Sequence, residues 1–536
     1  AIMVLDNIFR YNEKGMGQVE SAIVGAREIT FAALAASIAV IAIFLPVAFM
    51  KGVIGKFFLQ FGVTISLAVF LSLIESLTIT PMRCATFVQH GERTTKLGKA
   101  FEKMMELSKH RYHKSLVWTL AHPFKVLLGA TVFVALSFIS IGYLNKELSP
   151  VQDQSLFIAR VMMPVGTSME FTNQTTILAE KWFRERSEVA HVYASIGGMG
   201  GGGASDFNSS MMFVTMKDIG QRPKDKASGR ELTQQEFMNV ARKELKQLNG
   251  GRLVMMDLST RGFGSGRGYP VEFLLQGPDW ETLAKLETQF KEEMKNSGLM
   301  VDVDSNYLAG MPELQIKPNR QQAAFHGISI DSVGNTVNAL IGGVKNGQYN
   351  KDGHRYDILV MLEKVLDPIS QIKNLYIGNS RSNLIPISKV TDLKETKSLQ
   401  SISRVSRQRA ITIFANLNKG ASQQKALAFI NEKAKQILPA NYYVQQSGSA
   451  KTYKESFSSL IFALVLGFII AYMVLASQFN SFLDPIAILM ALPFSFSGAF
   501  LALLITNQSL NMYSMIGVLL LMGIVNITPD SFSDGG

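Results

Sequence analysis

Ile29–Met50 reads ITFAALAASIAVIAIFLPVAFM, twenty-two residues between Glu28 and Lys51 without one Asp, Glu, Lys or Arg. Wound as a helix, such a run crosses a hydrocarbon core of about 30 Å. Further runs follow. Phe57–Ile74 lies between Lys56 and Glu75 and continues to Thr80 with that one charge inside it, Val126–Asn145 lies between Lys125 and Lys146, and another run is bracketed by Glu455 and Asp484. No charged residue occurs from Pro485 to Pro529, where Thr506-Asn507-Gln508-Ser509 divides the stretch into two helices joined by a short turn. The reading is six membrane spans.

Composition agrees: of 536 residues 47% are apolar and only 18% charged. A soluble core spreads its apolar residues at helical or strand period, whereas these are concentrated in runs. The formal charge of +11 does not point to nucleic acid, because much of it sits in one loop. Residues 82–121 hold Arg83, Arg93, Lys96, Lys99, Lys103, Lys109, Arg111 and Lys114 against Glu92, Glu102 and Glu106, which marks the loop as cytoplasmic. Its Phe101, Met104, Met105 and Leu107 can form one face of a helix lying on the membrane surface; a solvated basic linker is the alternative. Cys84 is the one cysteine, so no intrachain disulfide or cysteine metal cluster forms, and it reads as packing at a helix end.

With that loop cytoplasmic, the span from Val126 emerges on the far side, and residues 145 to about 455 form one extracytoplasmic α+β region. Strand Phe157–Met163, helix Ser168–Arg186 after a turn and cap, then strands Val192–Ser195 and Met211–Met216 fit a split βαβ unit of ferredoxin-like kind. A similar order recurs in strand Tyr269–Leu275, helix Trp280–Asn296, strand Glu313–Lys317 and helix Asn319–Phe325. Strand Arg409–Ala415, helix Ser422–Ile437 and strand Tyr442–Gln446 complete it. Two βαβ-type subdomains are expected, the second interrupted by an insertion of roughly residues 330–395 that holds strand Tyr356–Leu362. The glycine stretches 197–203 and 262–268 lack a following Gly-Lys-Ser/Thr and do not join a strand directly to a helix, so they read as loops and not as phosphate cradles.

Several separated strings add a family resemblance. Ala1-Ile2-Met3-Val4-Leu5-Asp6-Asn7-Ile8, Gly25-Ala26-Arg27-Glu28-Ile29, Leu77-Thr78-Ile79-Thr80-Pro81-Met82-Arg83-Cys84-Ala85, Pro150-Val151-Gln152-Asp153-Gln154, Pro164-Val165-Gly166-Thr167-Ser168, Met311-Pro312-Glu313-Leu314-Gln315-Ile316 and Ala476-Ser477-Gln478-Phe479 occur in this order. Together they resemble the resistance-nodulation-division (RND) efflux permeases of the hydrophobe/amphiphile branch over about residues 1–525. The resemblance implies a multi-pass protein of the bacterial inner membrane with a large periplasmic region, working as a proton antiporter without a cofactor and not as an enzyme. It implies a homotrimer, a periplasmic adaptor (membrane fusion) protein and an outer-membrane channel as partners, and hydrophobic small molecules as substrates. A heavy-metal pump of the same superfamily is the alternative within transport.

On that resemblance residues 1–90 carry the end of the fourth, the fifth and the sixth transmembrane helices, 91–121 the basic amphipathic helix, and 122–144 the next span. Residues 145–267 are the first porter subdomain, 268–329 with 396–453 the second, 330–395 the docking insertion, and 456–525 the eighth, ninth and start of the tenth helices. The drug pocket of the family lies beside a glycine-rich loop that aligns with residues 196–203, which nominates Ile196, Met199 and Phe213 as substrate-binding residues. The proton-relay aspartate pair of the family would lie just before Ala1 and its lysine falls at Ile527, so no relay residue is assigned and the chain reads as a fragment. Glu75 is the one clear carboxylate within an apolar run, either a functional intramembrane acid or a helix-end group that snorkels or pairs with Arg83.

Met522–Gly536 resembles a different family, the first strand and loop of dihydropteroate synthase, with Asn526 at the position that helps bind the pterin diphosphate and its metal. Fifteen residues cannot close a barrel of about 250. The stretch is expected to be a foreign tail, with a folate-synthesis fusion as the alternative.

Overall fold

A computed structural model describes residues 2–50, 52–87, 96–197, 207–225, 229–246, 248–260, 267–362, 372–379, 383–399 and 401–525. Among them, five helices are long and apolar enough to cross a membrane: Gln18–Leu45, Gly55–Phe87, Pro123–Ser140, Gly448–Phe479 and Asp484–Ile505. A shorter apolar helix, Met512–Gly523, follows the Thr506–Ser509 turn, so the six expected spans correspond to five full-length helices and one short one. Their outward side chains are themselves apolar, as at Phe31, Leu128, Phe462 and Met473, which suits a lipid environment where each helix satisfies its own backbone.

Small residues set the helix contacts. A Cβ added at Gly467 would lie 2.6 Å from Met522 Cε and 3.7 Å from Ile43 Cγ2, so glycine lets three helices meet there. Ser137 Oγ donates to the Ser497 carbonyl at 2.9 Å, joining helix Pro123–Ser140 to its neighbour inside the apolar bundle. The basic helix covers Lys96–Ala121, and its Met104, Met105 and Leu107 are exposed.

The first α/β module runs β1 (Leu156–Met162), helix Met169–Arg184, β2 (Val189–Ile196), β3 (Ser209–Met216), helix Gln234–Glu244 and β4 (Arg252–Asp257). The strands form one antiparallel sheet in the order β2-β3-β1-β4. Each helix begins where a side chain can take up free N–H groups. Ser168 accepts from Phe171 N, and Thr233 forms a capping box with Glu236. Alternate residues Phe157, Ala159 and Val161 of β1 face both helices and bury Phe183 and Phe237 with Met212 and Val214, the period of two expected of a strand with one face on a core.

The second module repeats the plan: β5 (Val271–Gly277), helix Trp280–Asn296 and β6 (Met300–Ser305). The chain then departs through β7 (Ala309–Pro318), hairpin β8 (Val344–Lys351) and β9 (His354–Val360), β10 (Tyr376–Gly378) and β11 (Leu384–Pro386). It returns along β12 (Thr391–Leu399) to β13 (Arg404–Val405), β14 (Gln408–Leu417), helix Gln423–Ile437 and β15 (Tyr443–Gln446). β14 pairs with both β5 and β6 while β15 pairs with β5. The order β6-β14-β5-β15 therefore matches that of the first sheet.

Two expectations change. The strand at 313–317 does not belong to the second sheet. It lies within β7, which among the described residues pairs with β12 in a two-stranded stalk, and β6 takes its place beside β14. Met300-Val301-Asp302-Val303-Asp304-Ser305 escapes a hydropathy reading because Asp302 and Asp304 interrupt it, and both are paired with arginines of the first module. The insertion accordingly leaves the sheet by residue 309 and not at 330, and its own core joins Ala323 and Ile328 to Val333, Ile377, Ile387 and Val390.

Candidate functional site

The outer faces of the two sheets, those turned away from their own helices, meet each other. Met162 and Val254 of the first pack against Tyr269 and Phe414 of the second, whose rings stack at 4.5 Å between centroids. Burial pushes the Tyr269 phenol up to about 12. Charged pairs rim this contact. Arg242 binds Asp302 at 2.9 Å, Arg252 pairs with Asp304, and Asn416 Nδ2 donates to Asp302 Oδ2 at 2.8 Å.

Among the described residues the apolar contact is made by β1 and β4; on the β2–β3 part of the face side chains are more exposed. Phe213 stands there opposite Tyr193, ring centroids 6.2 Å apart, and Tyr193 is 60% exposed. Ile196 does not join them. It pairs with Ser210, whose hydroxyl is bonded by Thr176 of the helix layer, so Ile196 is on the face opposite to Phe213. Ser195, in register with Met211, occupies the face that Ile196 was expected to share. β2 ends as Gly197 N donates to Ser209 O with φ at +74°, a left-handed conformation that favours glycine. Met199 and the rest of the glycine stretch lie outside the described residues, as do Asn526 and the tail residues that follow it.

Glu75 sits half-buried in its helix, and its Oε1 accepts from the Thr80 hydroxyl at 3.0 Å. No ion pair to Arg83 forms among the described residues. Cys84 is buried with Val4, Ile8 and Ala22, the packing role expected for it.

A cavity of about 370 Å³ opens where the apolar helices and the α/β modules join. The segment after helix Pro123–Ser140 bonds there to the turn between the last two apolar helices: Leu510 N donates to Asn145 O at 2.8 Å and Glu147 N to Leu510 O at 3.3 Å. Gln423 clasps the same segment, accepting from Leu148 N at 2.9 Å while donating to Pro270 O at 2.7 Å. Glu147 and Asp257 both line the cavity, and burial raises both carboxyls above their ordinary range. Nothing in the sequence alone joins residues this far apart. The helix Gln234–Glu244 on its wall is missing from the sequence reading, though Thr233-Gln234-Gln235-Glu236 carries the capping-box signal that finds it.

The chain matches the AcrB/AcrD/AcrF family over residues 1–527. It is similar to the multidrug resistance protein MdtC of Escherichia coli O81 (strain ED1a), 28% identical over 534 residues, which cover 98% of this chain and 50% of that protein. MdtC from Escherichia coli O1:K1 and from O127:H6 (strain E2348/69) shows the same identity and coverage. The chain thus spans about half the length of the curated relatives it matches. It carries the strings of an RND multidrug permease in order, on apolar helices that lead into two α/β modules of one topology, and it belongs to the AcrB/AcrD/AcrF family.

Proposed function

We propose that the chain is the central part of a proton-driven permease that exports hydrophobic and amphiphilic compounds from the bacterial inner membrane. In this reading the two modules are ferredoxin-like porter subdomains, and the stalk with its hairpin is the docking insertion. The assembly is a homotrimer joined to a periplasmic adaptor and an outer-membrane channel. The observation that carries the reading is the family match along nearly the whole chain, together with two modules that share a four-strand order and adjoin apolar helices. Substrate passes over the open β2–β3 face, where Phe213 and Tyr193 present adaptable apolar surface. No proton-relay residue is assigned within this chain, and Glu75, held by Thr80 on its own helix, is structural.

The test is efflux of a fluorescent dye in bacteria deleted for their own pumps and supplied with the complete permease containing this chain. Dye export that persists when the proton gradient is collapsed, or dye levels equal to those of the deleted strain, would overturn the reading.

A further inference from the structure

Two polar groups on the wall of the junction cavity are incompletely satisfied, one without a hydrogen bond and one without a counter-charge. Ser449, at the first turn of helix Gly448–Phe479, is 3% exposed, and its hydroxyl has no hydrogen-bond partner. Glu147 has the Ser509 hydroxyl as a side-chain partner and makes no ion pair among the described residues. Buried polar groups in folded proteins are almost always partnered, and an exception calls for an explanation.

The remaining charges around the cavity are engaged elsewhere. Arg242 is bound to Asp302, Glu236 to Arg230, and Asp257 accepts from Gln234 at 3.1 Å. Lys419 is 80% exposed and reaches Glu236 at 4.0 Å. Leu148, Val151, Met238 and Leu417 supply apolar wall. A space of this size suits a compact organic molecule; the unpaired carboxylate selects its charge.

We propose that this cavity binds a small protonated amine, its ammonium donating to the Glu147 carboxylate and a short apolar body resting on Leu148 and Met238. An anion is excluded by Glu147, and a neutral ligand leaves that carboxylate without a cation. The site is separate from the open face at Phe213, and binding there does not depend on the chain taking part in transport.

Three probes of one shape separate charge from hydrophobicity: cyclohexylmethylamine, cyclohexylmethanol and cyclohexanecarboxylate, each titrated at pH 7 against the whole chain in phosphatidylcholine nanodiscs. Saturable binding is read by ligand-observed NMR, with empty nanodiscs as the control for partitioning. The amine is expected to bind at least tenfold more tightly than the other two. Glu147→Gln is expected to abolish that preference. Val151→Phe, at a side chain 48% exposed and so tolerant of added bulk, fills the cavity and blocks the amine even if Glu147→Gln fails to fold. Equal binding of the three probes, or amine binding undiminished by Val151→Phe, overturns the proposal.

Discussion

Asn7 Nδ2 donates to Glu28 Oε2 at 2.8 Å and to the Gly25 carbonyl at 2.9 Å, so two strings some twenty residues apart are bolted together at one end of the bundle. Arg10 adds an ion pair to the same carboxylate at 3.1 Å. A Cβ at Gly25 would lie 2.9 Å from Ile8 Cα, which is why the helices approach closely enough for the amide to reach. Asn7 is 6% exposed. Replacing it by Ala removes a buried amide that donates to both the Gly25 carbonyl and the Glu28 carboxylate, at a cost of about 1–3 kcal/mol. Thermal unfolding in nanodiscs should show a lowered midpoint for Asn7→Ala; an unchanged midpoint would remove the clamp from the account.

The Asp153–Arg222 pair anchors the first module. Both terminal guanidinium nitrogens reach the carboxylate, at 2.6 and 2.8 Å, and the Arg222 side chain is 1% exposed. Arg222→Met leaves Asp153 charged and unpaired, with an expected loss of about 3–5 kcal/mol. The Arg222 hydrogen bonds hold the Asp153 carboxyl below its ordinary 3.8. The stability from the pair is therefore complete above that value and fades as pH falls towards the folded-state pKa. Hydrogen exchange of β1 amides in the whole chain should accelerate in Arg222→Met at pH 7. It should also lose its acid dependence below pH 3.8, and a variant that keeps the wild-type acid profile would count against this pair as its source.

Glu272 lies beneath the start of helix Gly448–Phe479. Its carboxylate accepts from Arg267 N at 3.1 Å and from the Ser447 hydroxyl at 3.4 Å. Gly448 has φ of +51°, and a Cβ there would fall 2.5 Å from Glu272 Oε2, so Gly448→Ala is expected to cost about 1–3 kcal/mol in backbone strain. Burial raises the Glu272 carboxyl above its ordinary 4.5, so the folded state gains most when this group is protonated, and the gain is lost as pH rises through the folded-state pKa. Glu272→Gln should flatten that part of the stability profile. A profile identical to wild type would show that another group titrates there.

Phe213 and Ile196 are separated by the sheet, and the separation is testable in the complete permease. Phe213→Ala, on the open face, should change the rate of dye export while shifting stability by under about 1 kcal/mol, the usual range for partly exposed sites. Ile196→Ala, on the helix side, should leave the dye spectrum unchanged. Export altered equally by both substitutions would place the transport surface elsewhere.

Glu75→Gln keeps the oxygen that accepts from Thr80. Dye export and its dependence on the proton gradient should be unchanged, and a loss of coupling would return Glu75 to the mechanism.

Legibility from sequence varied with how local the cause was. Helix Trp280–Asn296 was readable to the residue because Asp279 caps it and accepts from Thr282 N, and the helix read from Ser422 to Ile437 begins one residue later, with Ser422 as its cap. β6 was not legible, since its aspartates face arginines on another module.

The sequence by itself determined where the chain is apolar for long enough to cross a bilayer, which segments alternate as strands, and which family strings occur in what order. Those properties depend on neighbours within a few turns, where hydrophobic period and caps act. Only the tertiary structure decided that Ile196 and Phe213 face opposite ways, that β7 belongs to a stalk, and that Glu147 and Ser449 line one cavity. Strand register and the docking of modules are fixed by contacts between residues hundreds of positions apart, and no local propensity encodes them.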